Sequence, residues 1–388
     1  MGSTPSVVIV HDYLTQRGGA ERVVLAMLET FPDAPLVTSI YAPERTYPEF
    51  GRYRVKPLMD HAPAALRRDA RLALPILARL FSRHTIKDAD VVLCSSSGWA
   101  HGVSSEAPKV VYCHTPARWL HEPDEYRRNQ RLPARLAASV ARRALRDWDM
   151  RAAASAETYV ANSRFIAQRV WSVYGRDSHV LHPPPGILPD GPVREPQMIG
   201  HDFLLTIARG RRYKNTAAVI EATRRLRTPL VVVGRGANEQ QPPDVIRLVD
   251  VDDATLRWLY ANCRAVVAAA HEDFGLTPLE AMAFGKPVVA LRARGYLDSV
   301  VEGETGFFFD RAEPDSIAAA ISAVDNTAFD PDRLRDHAAK FCQERFASHL
   351  HEIVESTVEG RRTASNGLRR RQQHSTPGRI TSLGDRPV

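Results

Sequence analysis

The stretch AVVAAAHEDFGLTPLE, residues 265–280, decides the fold. Ala265–Ala269 is a short run of small and β-branched apolar residues, which reads as a strand buried on both faces of a parallel sheet. A loop carrying Glu272 follows, and a helix begins near Thr277. Thr277 suits the N-cap, Pro278 the first helical position and Glu280 the third, the arrangement of a capping box. The same strand–loop–helix order recurs on both sides. Strands are predicted at Phe203–Ala208, Leu230–Val233, Val245–Leu248, Pro287–Leu291 and Gly306–Phe309. Helices are predicted at Thr216–Arg225, Ala254–Asn262, Pro278–Phe284 and Asp315–Val324. The first half runs likewise, with strands at Val7–Val10, Val91–Cys94, Val110–Cys113 and Tyr159–Ala161 and a helix at Glu21–Thr30. The prolines His182-Pro-Pro-Pro185 suit neither a helix nor a central strand and mark a linker. Strand and helix alternating twice over predict two parallel-sheet α/β domains, with ligands at the carboxyl ends of the strands.

The composition agrees with a globular α/β chain. Of 388 residues, 44% are hydrophobic and 25% charged, which excludes collagen-like, coiled-coil and mostly disordered chains. No purely apolar run exceeds six residues, far short of the roughly 20 a membrane-spanning helix needs. Residues 1–6 lack the basic and apolar regions of a secretory signal, and four cysteines without a CxxC pair read as buried thiols, so a reducing cytoplasm is expected. The net charge of +7 divides unevenly: +7 over residues 1–185, −6 over 186–359 and +6 over 360–388. The tail from Gly360 has no aromatic residue and is expected to be disordered. Two first-half segments are rich in arginine, one from Arg67 to Lys87 and one from Arg127 to Arg151. Such segments form solvated helix faces or lie on an anionic membrane surface. No nucleic-acid-binding motif or aromatic interleaving accompanies them, so nucleic acid is not expected as a partner.

Four clusters carry candidate chemistry. Glu272 stands in a strand-end loop, and the backbone N–H groups of Phe274, Gly275 and Leu276 precede a helix, a natural anion cradle. Acids on either side of that cradle suit a ligand with hydroxyls at both ends and phosphates between, which describes a sugar nucleotide; Glu280 alone reads equally as a capping residue. Arg209-Gly-Arg-Arg-Tyr-Lys-Asn215 brings cations to another strand end, where a guanidinium fork and an ammonium suit a diphosphate. Gly18 and Gly19 lie at the first strand-to-helix turn and let the backbone approach a ligand, although they do not form GxGxxG. His114, in YCHTPARW, follows another strand. Asp250-Val-Asp252 matches a metal-holding DxD pattern, but its place before Ala254–Asn262 favours helix capping.

These motifs in order resemble the retaining glycosyltransferases of family 4, enzymes of the GT-B architecture, and within them a bacterial mannosyltransferase-like branch that builds polysaccharides and glycolipids. The resemblance covers most of residues 6–350. Glu272 to Glu280 matches the family's E-x7-E, continued by EAMAFGKPVVA; Arg209 and Lys214 match its Arg-x4-Lys; VYCHTPARWLHE and VANSRF also fit. Arg294-Gly-Tyr-Leu-Asp298 stands where the family has a glycine pair and Glu, and Ala237–Asp244 is shorter than usual. The resemblance implies two Rossmann-like domains facing each other across a cleft: an acceptor domain at 1–185 and a donor domain at 186–345. A helix at 346–359 would cross back to the first domain, ahead of the basic tail at 360–388. It further implies that Glu280 binds the donor's ribose and Glu272 faces its sugar. Arg209 and Lys214 would neutralise the diphosphate, Gly18 and Gly19 would approach from the other domain, and His114 would stand near the sugar. The expected reaction is transfer of a hexose, mannose first, from a nucleotide sugar such as GDP-mannose to a glycan or lipid-linked acceptor, with no metal and no cofactor. An epimerase or phosphorylase on the same architecture, or a non-catalytic sugar-nucleotide binder, are the alternatives. Localisation at the inner face of the cell membrane goes with the basic first half.

Overall fold

A computed structural model describes residues 5–61, 63–68, 74–122, 132–197, 199–207, 215–234 and 245–373. The first domain holds seven parallel strands in the spatial order Val55–Pro57, Leu36–Thr38, Val7–His11, Val91–Ser96, Lys109–Cys113, Thr158–Ala161 and His179–Val180. The second holds six, in the order Val245–Leu248, Leu230–Val233, Phe203–Ile207, Cys263–Ala268, Val288–Leu291 and Gly306–Phe309. Both central strands are continuous apolar runs because helices cover both faces of a parallel sheet. In each sheet the first strand lies third from one edge and its neighbour on the other side is reached by a long crossover. The winding reverses at that point, which opens a crevice at the strands' carboxyl ends. In the first sheet the crevice falls between His11 and Ser95; in the second it falls between Ile207 and Ala268.

The predicted central strands and main helices agree with the observed ones to within about two residues. Leu36–Thr38 and the two edge strands Val55–Pro57 and His179–Val180 carry no such sequence signal, being two or three residues long, and Val55–Pro57 contains Lys56 and Pro57. Proline is tolerated there because an edge strand leaves its N–H side unpaired. The helix Pro331–Ala339, capped by Asp330 through the N–H of Asp332, was likewise not predicted.

The last helix corrects the expected boundaries. It runs Gln343–Gln373, not 346–359, so the segment from Gly360 begins as helix and not as a disordered tail. Phe346, Leu350, Val354 and Val358, spaced four apart, bury one stripe against Val7, Ile9, Leu25 and Leu28 of the first domain. With that stripe docked, extending the helix adds one hydrogen bond per residue fixed and needs no new nucleus. Arg361 also reaches Glu157 at 2.5 Å, and Arg362 lies 3.7 Å from Asp90. The rest of the basic tail, 374–388, lies outside the described residues.

Candidate active site

The decisive loop folds differently from its sequence reading. The helix begins at Leu276, one residue before Thr277, and its N-cap is Gly275 with φ of +87° and no side-chain cap. A Cβ at Gly275 would come within 2.4 Å of the Tyr296 ring, so only glycine allows this turn so close to the neighbouring loop. The capping box is therefore not formed. Glu280 is buried and turned elsewhere: Oε2 accepts from the Tyr260 hydroxyl at 2.6 Å and Oε1 from the Gly186 N–H at 3.2 Å. Burial pushes its carboxyl above the usual range, against the lowering effect of Tyr260 and Arg22. Each carboxylate oxygen keeps a second lone pair for a ligand hydroxyl. The helix start itself, without a side-chain cap, presents N–H groups to an anion.

A pocket opens at the second sheet's crevice, lined by Thr206, Ile207, Ala270, Glu272, Thr277 and Tyr296. Glu272 thus stands between the crevice and the helix start, as its loop position predicts. Arg209 and Lys214 lie outside the described residues, but both flanks of their segment are fixed here. Ile207 lines the pocket, and Asn215 donates from Nδ2 to the Ala269 carbonyl at 2.8 Å. The stretch Ala237–Asp244 also lies outside the described residues. Asp252 caps the helix Asp253–Asn262 through the Thr255 N–H at 2.9 Å and pairs with Arg194 at 2.6 Å, the capping role predicted for it.

The first domain supplies the opposite wall. Gly18 caps the helix Gly19–Thr30, and the Cβ position of Gly19 lies 3.7 Å from Leu276 Cδ1, so the starts of the two glycine-capped helices meet across the cleft. His114 follows the strand Lys109–Cys113; its Nε2 lies 2.8 Å from Ser95 Oγ, which in turn lies 3.0 Å from His11 Nδ1. Burial, and secondarily His11, lower the His114 pKa to about 3, so the imidazole is neutral in the folded protein. An unfolded chain takes up that proton below about pH 6.5. The depressed histidine therefore contributes stability above that pH and loses it progressively down to pH 3. Between pH 6.5 and 5 the loss is about 2 kcal/mol. Urea titrations at the two pH values should show it in the native chain and not in His114→Gln; equal losses in both would assign the acid sensitivity elsewhere.

Several contacts that no local sequence pattern gives join the domains. Arg118 reaches Asp273 at 2.5 Å, and Ser163 Oγ donates to the Asp273 carbonyl at 2.6 Å. Burial raises the Asp273 carboxyl, while Arg118 opposes that rise. Arg164 binds Asp298 through its backbone N–H at 2.6 Å and its Nε at 2.7 Å, and Arg22 binds both carboxylate oxygens of Asp253. Asp298, which replaces a family glutamate, thus serves an interdomain contact. His182 of the linker stacks on Phe274, with centroids 5.2 Å apart. Behind Arg118, Asp149 accepts from His121 at 2.7 Å and lies 3.1 Å from His101 Nε2. Burial alone would raise Asp149, but the two histidines outweigh it and hold it at about 2.

Comparison with known proteins places this geometry. Residues 17–187 match the family model described as Glycosyltransferase Family 4, and residues 199–341 match Glycosyl transferases group 1. The chain is 33% identical over 116 residues to the alpha-1,3/1,6-mannosyltransferase ALG2 of Dictyostelium discoideum, covering 28% of this chain and 27% of that one. It is 33% identical over 125 residues to D-inositol 3-phosphate glycosyltransferase 2 of Catenulispora acidiphila, covering 30% and 29%. Both matches span less than a third of the relative's length. Among solved structures, HepE of Anabaena in complex with UDP-glucose superposes with a TM-score of 0.68 at 18% identity, covering 90% of this chain and all of that one. With one family model on each domain and the GT-B architecture throughout, the chain belongs to the family 4 glycosyltransferases.

Proposed function

We propose that this protein transfers a hexose from a nucleoside diphosphate sugar to a glycan or lipid-linked acceptor, with retention at the anomeric carbon and without a metal. One observation carries the reading: a helix start at Gly275 with no side-chain cap, flanked by Glu272 and the buried Glu280, faces the Gly18–Gly19 turn across the cleft. In this reading Glu280 takes the ribose hydroxyls, and the N–H groups at Phe274, Gly275 and Leu276 take a phosphate. Glu272 and the neutral His114 flank the sugar from opposite domains.

Transfer breaks the bond from the anomeric carbon to the diphosphate oxygen while negative charge grows on that oxygen. Fixed N–H dipoles and the cations Arg209 and Lys214 stabilise this charge without reorganising as it develops. The acceptor hydroxyl attacks the face the diphosphate vacates. Its oxygen bonds to the anomeric carbon, and its proton passes to the departing phosphate oxygen, which meets it on that face. Mannose from GDP-mannose is the preferred donor, because the match to a mannosyltransferase falls together with the branch-like motifs. A lipid-linked acceptor at an anionic membrane surface on the cytoplasmic side is supported by the helix Leu74–Arg83, which exposes Ile76, Arg79 and Arg83 while burying Leu77 and Phe81.

Thermal denaturation against GDP-mannose, UDP-glucose and an ADP-sugar tests the donor. A donor at 100 times its Kd stabilises the fold by about 2.7 kcal/mol. GDP-mannose is expected to raise Tm most, and a larger shift with UDP-glucose would reassign the base. Turnover should survive EDTA; activity lost in EDTA and restored by Mg²⁺ or Mn²⁺ would overturn the metal-free mechanism.

A further inference from the structure

A second cavity, of about 260 Å³, lies away from the cleft at the place where the chain crosses twice between the domains. The end of the last strand of the first sheet, Val180–Leu181, and the linker residue His182 form one wall. Lys340, Phe341, Arg345 and His349, from the return crossing, form the other. Two cations and two imidazoles thus converge on one small space, and among the described residues no carboxylate lines it. Glu344, the acid on the same turn of helix, is turned back onto its own N–H and Cys342. Among the described residues, neither Lys340 nor Arg345 is held in an ion pair. Leu181, Phe341 and the buried Phe346 give the space an apolar floor.

The geometry points to a binding site for a phosphate monoester of a small sugar at this hinge, separate from the donor cleft. A guanidinium and an ammonium together match a dianionic phosphate, and an apolar floor matches the C–H face of a sugar ring. The volume is below the roughly 300–1,000 Å³ of drug-sized ligand sites, which suits a hexose phosphate and is too small for a nucleotide sugar. An occupant touches both crossings at once. It also lies one ring from the donor loop, because Phe341 packs on His182 at 5.5 Å and on Phe274 at 6.3 Å.

The test needs no donor or acceptor, so it stands or falls apart from the transferase reading. Isothermal titration of the full chain with glucose 6-phosphate, inorganic phosphate and glucose separates the chemistries. Glucose 6-phosphate is expected to bind, glucose not to bind, and the double variant Lys340→Ala/Arg345→Ala to weaken binding at least tenfold. Both side chains are exposed, so the variant should keep the native circular dichroism and Tm. If inorganic phosphate binds as tightly as the sugar phosphate, the anion site stands and free phosphate is its source. No heat at millimolar ligand, or unchanged affinity in the folded double variant, overturns the site.

Discussion

Replacing Arg209 by alanine is expected to lower the transfer rate by about 10²–10³-fold, the range seen when one preorganised group facing developing charge is removed. The bond that breaks leaves a full negative charge on a diphosphate oxygen, and in a partly closed cleft water cannot screen it as bulk solvent would. The backbone N–H groups at Gly275 and Leu276 supply partial charges only, and in the proposed mechanism the guanidinium and the Lys214 ammonium carry the remainder. In sequence both residues adjoin segments at the crevice: Arg209 comes two positions after Ile207, and Lys214 immediately precedes Asn215. Lys214→Ala should act in the same direction. Because the charge grows toward the transition state, the loss should fall on kcat more than on KM. Single-turnover rates of Arg209→Ala within about threefold of the native chain would refute the assignment.

Asp149→Ala is expected to cost about 1–3 kcal/mol of first-domain stability, the range for leaving buried polar groups without their partner. The carboxylate is fully buried and lies between the Nε2 atoms of His101 and His121. Deleting it takes away the shared partner of the His101 and His121 Nε2 atoms and of the Tyr174 hydroxyl, beside Trp99, Trp119 and Trp148. Asp149→Asn should cost less, since the amide oxygen still accepts from one imidazole. The carboxyl is held at about 2 in the folded chain, below its ordinary value near 3.9, so its contribution is complete at neutral pH and is lost as pH falls from about 4 to 2. Urea midpoints at pH 7 measure the difference; a shift of under about 1 kcal/mol would show that the aspartate holds nothing, given the cost of unpaired buried groups. His121 ends the short helix that begins at Arg118, so the alanine variant should also loosen the Arg118–Asp273 contact.

The two sheets were legible because central parallel strands are apolar runs, as Leu230–Val233 and the Ala265–Ala268 part of the strand Cys263–Ala268 show. The site was legible in part. Glu272 lines the predicted crevice and His114 the facing one, each at the end of an apolar strand. Glu280 read equally well as a capping residue, and only the turn at Gly275 against Tyr296 separates the two roles; that contact depends on a residue 21 positions away. Arg118 and Asp273 meet across 155 residues of sequence, which no local pattern encodes. Asp149 sits in RRALRDWDMR, where it looks like one more surface charge until the fold brings His101 and His121 onto it. The first part of the tail, 360–373, was misread because composition alone ignores the docked helix that precedes it.

The hydrogen bond from the Gly186 N–H to Glu280 ties the interdomain segment to the carboxylate assigned to the nucleoside. With the proposed role of Glu280, one acid reads two things at once: whether a ribose is present, and where the interdomain segment stands. In that reading loading and bending are one equilibrium seen from two ends, and lobe angle and nucleoside grip share a single coupling free energy.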